Sequence, residues 1–273
     1  MFDIKRNWLT KFMKPILIII LILTFIFLFR LIYTKFSKEP LPATVYRIAY
    51  NETWYPLELY DKEQDISVFS EEIVRAIAAE KHFSVQLVPV RSDDLLEGIE
   101  RGEYEGVLSS LTLHEENAEK YISSDPYYLL GPVLVVSKSS NIKSLQDLNG
   151  KNIGIITGYK YIYSLNKYHS INFVFYDYYN RSKLIEDVIN QVIDGMILRM
   201  IPAYEYTKNG LFKDQLKVVS VPLNNDGLRI IAKNDPESKK LIEQFNAGLK
   251  TIKKNGIYSK LILKWGLFDP EKP

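Results

Sequence analysis

Seven of the chain's 19 tyrosines fall between Tyr159 and Tyr179, with His169 among them. A phenol offers a flat apolar face and a hydroxyl that both donates and accepts. Such a cluster can line a sugar- or peptide-binding face, although strand and helix packing with the hydroxyls at the surface is its commoner use. Other reactive groups are sparse. Cysteine is absent, which excludes disulfides, thiolate metal sites, thiol catalysis and a lipid-bearing N-terminal cysteine. The three histidines, His82, His114 and His169, lack zinc-ligand spacing. No metal site and no cofactor is called for, and nothing singles out an acid placed for general acid–base work.

Something must position such groups, and 273 residues with 47% hydrophobic and 25% charged content suffice for a buried core in one or two domains. The charge is unevenly spread. Residues 1–40 hold seven basic and two acidic side chains, leaving 28 basic against 31 acidic in the remainder. A mildly acidic body argues against nucleic acid as a partner. Ile16 to Phe29 is apolar apart from Thr24, and Lys5, Arg6, Lys11 and Lys14 precede it. Basic residues before a first hydrophobic segment hold the N-terminus in the cytoplasm and send the rest outward. Residues 1–36 therefore read as a signal peptide or a transmembrane anchor, and residues 37–43 as a linker. The body is expected outside the cytoplasmic membrane.

From Val45 onward, strands alternate with helices. Strands are expected at 45–50, 85–90, 106–111, 131–138, 152–157, 172–176, 195–200, 216–221 and 227–232. Helices are expected at 69–82, 94–101, 114–121, 161–168, 182–193, 202–209, from Pro236 to about 255, and at 257–265. Ser70, followed by Glu71 and Glu72, reads as a helix start. Ser144 with Asp147 reads as a cap. Asp235-Pro236-Glu237 supplies a cap, a rigid first residue and an acid on the helix dipole. The alternation implies α/β layers with mainly parallel sheets, and its restart near residue 140 implies two such units.

The segments NETWYPLELYDKE, SVFSEEIVRAIAAE, GVLSSLTLHEEN, SSDPYYLLGPVLVVSK, SLQDLNGKNIGIITG and NDPESKKLIEQFNAGLKTIKKNGIYSKLILKWG follow in order over about residues 44–268. In this the chain resembles the family 3 extracellular solute-binding proteins, which serve ABC importers of polar amino acids. The resemblance implies a two-lobed clamshell of the periplasmic binding protein type II. Lobe one would comprise 44–131 and 224–273, lobe two 132–223, with a hinge near Gly131 and Leu223. It implies a monomer that closes on a small polar solute and docks on ABC permease subunits.

Carried over position by position, the resemblance puts Trp54 and Phe69 at aromatic walls of the pocket. It puts Ser109, Ser110 and Thr112 in a hydroxyl cluster that hydrogen-bonds the ligand. Asn117 stands where the family has a carboxylate-gripping arginine, and Arg199 where it has an aspartate for the ligand ammonium. Gly158-Tyr159 replaces a glycine-threonine pair, and Asn51 replaces an aspartate. Arg199 could meet an acidic group of a different solute, or pair with a carboxylate such as Glu205. Lys160, Arg181 and His114 are weaker candidates. Two further classes are weighed beside uptake. An enzyme on the same fold, such as a dehydratase, lacks an evident acid here. A membrane-anchored sensor or interaction protein would suit the substituted anchors.

Overall fold

The computed structural model describes residues 22–28, 44–51, 54, 57, 59–91, 95–113, 115–158 and 170–272. Two compact units are distinguished, Met1–Ala43 and Thr44–Pro273. Of the first, residues 22–28 are described. They are helical, with Ile22, Phe25 and Phe27 exposed. The rest of the expected signal or anchor segment, and the linker, lie outside the described residues. Among the described residues no helix is long and apolar enough to cross a membrane.

The second unit begins with β1 (Val45–Tyr50), α1 (Glu63–Lys81), β2 (Ser84–Pro89), α2 (Leu95–Glu100), β3 (Gly106–Ser109), α3 (Glu115–Ala118), β4 (Tyr121–Ser123) and β5 (Tyr128–Leu129). It continues with β6 (Pro132–Ser137), a 3-10 turn (Leu145–Leu148), β7 (Asn152–Ile156) and β8 (Asn172–Tyr176). Then come a 3-10 turn (Tyr178–Asn180), α4 (Arg181–Ile189), β9 (Gly195–Arg199), α5 (Met200–Tyr204) and a π turn (Glu205–Asn209). It ends with β10 (Leu216–Val218), β11 (Gly227–Lys233), α6 (Pro236–Lys254) and α7 (Ile257–Lys264).

These strands build two sheets. One has the order β2-β1-β3-β11-β4, with β5 paired to β11. The other runs β10-β6-β9-β7-β8. The expectation of mainly parallel sheets is corrected here, because both sheets are mixed, with two parallel ladders each. β1 is parallel to β2 and β3, and β7 to β8 and β9. The remaining ladders are antiparallel. The strands adjoining the crossings, β6 and β11, run against the helix-connected strands. Parallel pairing needs a crossover helix, whereas a returning chain pairs antiparallel.

Burial follows from the sequence. All six residues of β6 are buried. Val133 and Val135 pack into the larger core and Leu134 and Val136 into a second one, as a continuous apolar strand covered on both faces requires. α1 starts seven residues before the expected Ser70, at Glu63. Ser70 is buried inside the helix, where its hydroxyl donates to the Ile66 carbonyl at 2.6 Å. That i−4 bond satisfies a mid-helix serine without ending the helix. At α6 the expected cap is realised: the Asp235 carboxylate accepts from the Ser238 N–H at 2.8 Å, with Pro236 opening the helix. The helix expected at 202–209 begins at Met200 and widens into the π turn after Tyr204. The helix expected at 161–168 lies outside the described residues.

The chain passes between the sheets twice, and the two crossings lie against each other. Leu130 N donates to Asp226 O at 2.8 Å, and Leu223 N to Pro132 O at 2.7 Å. A Cβ on Gly131 would stand 2.3 Å from Asn224 Oδ1 and 2.9 Å from its carbonyl. Only glycine permits that approach.

Candidate functional site

In parallel α/β layers, ligands gather beyond the carboxyl ends of the strands. At that end of the first sheet, β1 runs out into Asn51 and β3 into Ser109, with Tyr50 opposite Leu108 in register. Asn51 is half-buried, and its side-chain amide donates to the Val90 carbonyl at 3.1 Å, joining the ends of β1 and β2. Ser109 and Ser110 are half-buried. The Ser109 hydroxyl accepts the Leu111 N–H at 3.1 Å, which ends β3 two residues before the expected Leu111. Exposed Thr112 donates its hydroxyl to Asp226 at 3.2 Å. The other Asp226 oxygen accepts from Asn224 at 2.9 Å. This hydroxyl loop is thus tied to the crossing. Asn117 lies half-buried on α3, its carbonyl accepting from Lys120 N at 3.1 Å.

The two aromatic walls implied by the resemblance are placed differently. Phe69 is fully buried, edge-on to Tyr128 at 5.4 Å and to Tyr258 at 6.2 Å. It offers a solute no surface. Its position in the second turn of α1 aims it into the core with Ile66 and Ile73. Trp54 is 4% exposed, and its indole N–H donates to Ser67 at 2.8 Å. It sits at φ +53°, a costly conformation for a bulky residue, held by that bond and by its place in the core.

At the carboxyl end of the second sheet, β7 leads through Thr157 to Gly158, β8 to Asp177 and β9 to Arg199. These three strands are parallel neighbours, so their ends lie side by side. Gly158 is exposed with φ +89°, and among the described residues nothing lies within 4 Å of where its Cβ would be. It provides a left-handed turn. Arg199 is half-buried at the end of β9. The described partners of Glu205 are Lys62 at 3.7 Å and Asn209 at 3.3 Å. Tyr159, Lys160 and His114 lie outside the described residues, as does most of the tyrosine-rich stretch.

The structure also brings together residues of which sequence reasoning passed over Tyr60, Lys62 and Tyr206, naming Arg181 as a weaker candidate and Glu205 as a partner for Arg199. Tyr60 and Lys62, from the loop after β1, meet Arg181, Glu205 and Tyr206, which follow β8 and β9. The ends of the two parallel halves therefore face each other. On β11, Arg229 stands opposite Ser109 in register, half-buried, its Nε enclosed and, among the described residues, without a hydrogen-bond partner. Desolvation lowers its pKa, against the opposing pull of Asp226 and Asp125. No local pattern marks a lone arginine in an apolar strand as part of a site. Among the described residues no group of His, Cys, Asp and Glu could hold a metal.

Hydroxyl, amide and guanidinium groups gather at the carboxyl ends of the parallel strands of both sheets, and the chain crosses between the sheets twice. The family model of bacterial extracellular solute-binding proteins, family 3, matches residues 46–268, and the chain belongs to that family. Among similar curated proteins is a probable histidine-binding protein of Neisseria gonorrhoeae, 24% identical, the match covering 82% of this chain and 84% of that protein. Another is the arginine-binding extracellular protein ArtP of Bacillus subtilis, 28% identical over 78% of this chain and 82% of its own. Among solved structures, the L-cystine solute receptor of Neisseria gonorrhoeae in its unliganded open conformation shares the fold. Its TM-score is 0.59 at 20% identity, covering 81% of this chain and 92% of that one.

Proposed function

We propose that this chain captures a polar amino acid or a related compound between its two sheets and delivers it to the permease of an ABC importer. The observation that carries this is the family match across residues 46–268, joined to the opposed clusters at Ser109-Ser110-Thr112 and Gly158-Arg199. In this reading residues 44–131 and 224–273 form one lobe and 132–223 the other. Gly131 and Leu223 mark the hinge, where the crossings are hydrogen-bonded to one another. Closure is driven by the solute's greater affinity for the closed arrangement. The protein acts as a monomer and releases its solute unchanged, as binding without turnover requires.

Within the cleft, Ser109, Ser110 and Thr112 supply hydroxyls and backbone N–H groups, and Gly158 supplies the facing turn. Arg199 meets an acidic group of the solute, with Asn51 and Asn117 as polar neighbours. Trp54 supports the cleft floor from beneath. The body lies outside the cytoplasmic membrane, tethered there by the N-terminal segment. The basic residues before Ile16 and the exposed apolar side chains of residues 22–28 support that tether.

A thermal-shift screen of the full chain in detergent, over amino acids, dicarboxylates, short peptides and sugars, tests the reading. A solute at 100 times its Kd adds about 2.7 kcal/mol of stability. A hit among amino acids, weakened by Arg199→Ala, is expected. Folded protein that responds to none of these solutes refutes it.

A further inference from the structure

The loop after β1 and the segment after β9 meet across the gap between the two sheets through named side chains. The Tyr60 and Tyr206 hydroxyls lie 3.2 Å apart, and their rings pack edge-on at 6.2 Å. The Arg181 guanidinium donates to the same Tyr60 oxygen and also lies over the Tyr178 ring at 4.9 Å. Two residues on, Lys62 pairs with Glu205 at 3.7 Å, both side chains about one-fifth exposed. Next in sequence, Tyr204 stacks on Phe268 at 4.7 Å and 15°. Three consecutive residues, Tyr204 to Tyr206, thus each hold a side chain belonging to the part of the chain that carries the first sheet.

Local conformation on both sides serves these contacts. Tyr60 and Asp61 are consecutive non-glycine residues in the left-handed region, at φ +53° and +64°. Such residues persist where their surroundings over-determine them. On the other side, Glu205 and Tyr206 open a π turn. π turns are rare and frequently mark functional sites.

We propose that Tyr60 and Lys62, with Arg181, Glu205 and Tyr206, form a clasp that holds the two sheet-bearing lobes together before any solute is bound. The clasp biases the resting molecule toward closure, so a solute spends less of its binding free energy on moving the lobes. It is a second determinant of affinity, separate from the side chains that touch the solute. The inference rests on the reading that the lobes move, but its test needs no solute.

The chain has no cysteine, so two introduced ones can carry dyes without background labelling. Leu211, between the π turn and β10, and Leu263, on α7, are 90% and 79% exposed. Single-molecule energy transfer between dyes at Leu211→Cys and Leu263→Cys in the full, solute-free chain reports lobe separation. Lys62→Glu sets two acids against each other and is expected to raise the open-to-closed ratio about fivefold. Tyr60→Phe, which loses the phenol's bonds to Tyr206 and Arg181, is expected to raise it about tenfold. The exchange Lys62→Glu with Glu205→Lys is expected to restore the parent distribution. Identical distributions in the parent, both single variants and the exchange overturn the proposal. Should the parent bind no solute in the screen while the variants still open, solute capture fails and the clasp stands.

Discussion

Gly154→Ala should loosen the second sheet from its helix and shift the site with it. Gly154 lies in the middle of β7, parallel to Val174 on β8 and Met196 on β9. A Cβ there would stand 2.2 Å from Leu184 Cδ1, 2.8 Å from Ile193 Cδ1 and 3.3 Å from Tyr176 Cε2. Leu184 is fully buried and Ile193 nearly so, so neither side chain can swing into solvent. Relief must come from α4 moving outward or from strained rotamers, and overpacking of this kind costs about 1–3 kcal/mol. For a domain of this size that is a fall in Tm of roughly 3–10 °C. α4 carries Arg181 as its first residue, so its displacement should also weaken solute binding, although Gly154 lies below the surface. Calorimetric melting with the screen's best solute measures both. Leu184→Ala, damaging alone, should cost less on the Gly154→Ala background, a non-additivity that places the clash at that pair. A Gly154→Ala variant as stable as the parent would refute the reasoning that helix and strand touch here without slack.

Asp235→Ala removes the acceptor for Ser238 N at the start of α6 and should cost about 1 kcal/mol, read as a lower urea midpoint at unchanged slope. Thr112→Val frees Asp226 from its hydroxyl partner and should raise the Kd for solute with little change in Tm. Asp187 should carry part of the acid sensitivity. Its pKa is lowered by hydrogen bonds from Lys183 and then Tyr176. The stability it contributes is therefore complete above the ordinary carboxylate range near pH 4 and is lost as pH falls through the lowered value. Asp187→Asn should be less stable than the parent at neutral pH and should lose less on acidification, as melting curves from pH 7 to pH 2 would reveal.

The layered fold is legible because its signals are local and repeated. The unbroken apolar run of β6 announces a strand covered on both faces, and Asp235-Pro236-Glu237 announces a helix start. Where the signal competed with another, the reading slipped. Ser70 looks like a cap, but its hydroxyl has a carbonyl partner inside the helix, so α1 runs through it. The antiparallel halves of the sheets were not legible either, because direction depends on where the chain crosses between units and not on any strand's own residues. The site was less readable still. Position by position, the resemblance supplied Phe69 as a wall, yet the same apolar residue satisfies the core, and the core holds it. Tyr60, Lys62, Glu205 and Tyr206 carry no motif, and Tyr60 meets Tyr206 only because the ends of two separate sheets are opposed. A contact of that kind is a property of the hinge and of the gap it spans. It therefore responds to the motion that captures a solute, and substitutions there should alter affinity without altering which solute is chosen.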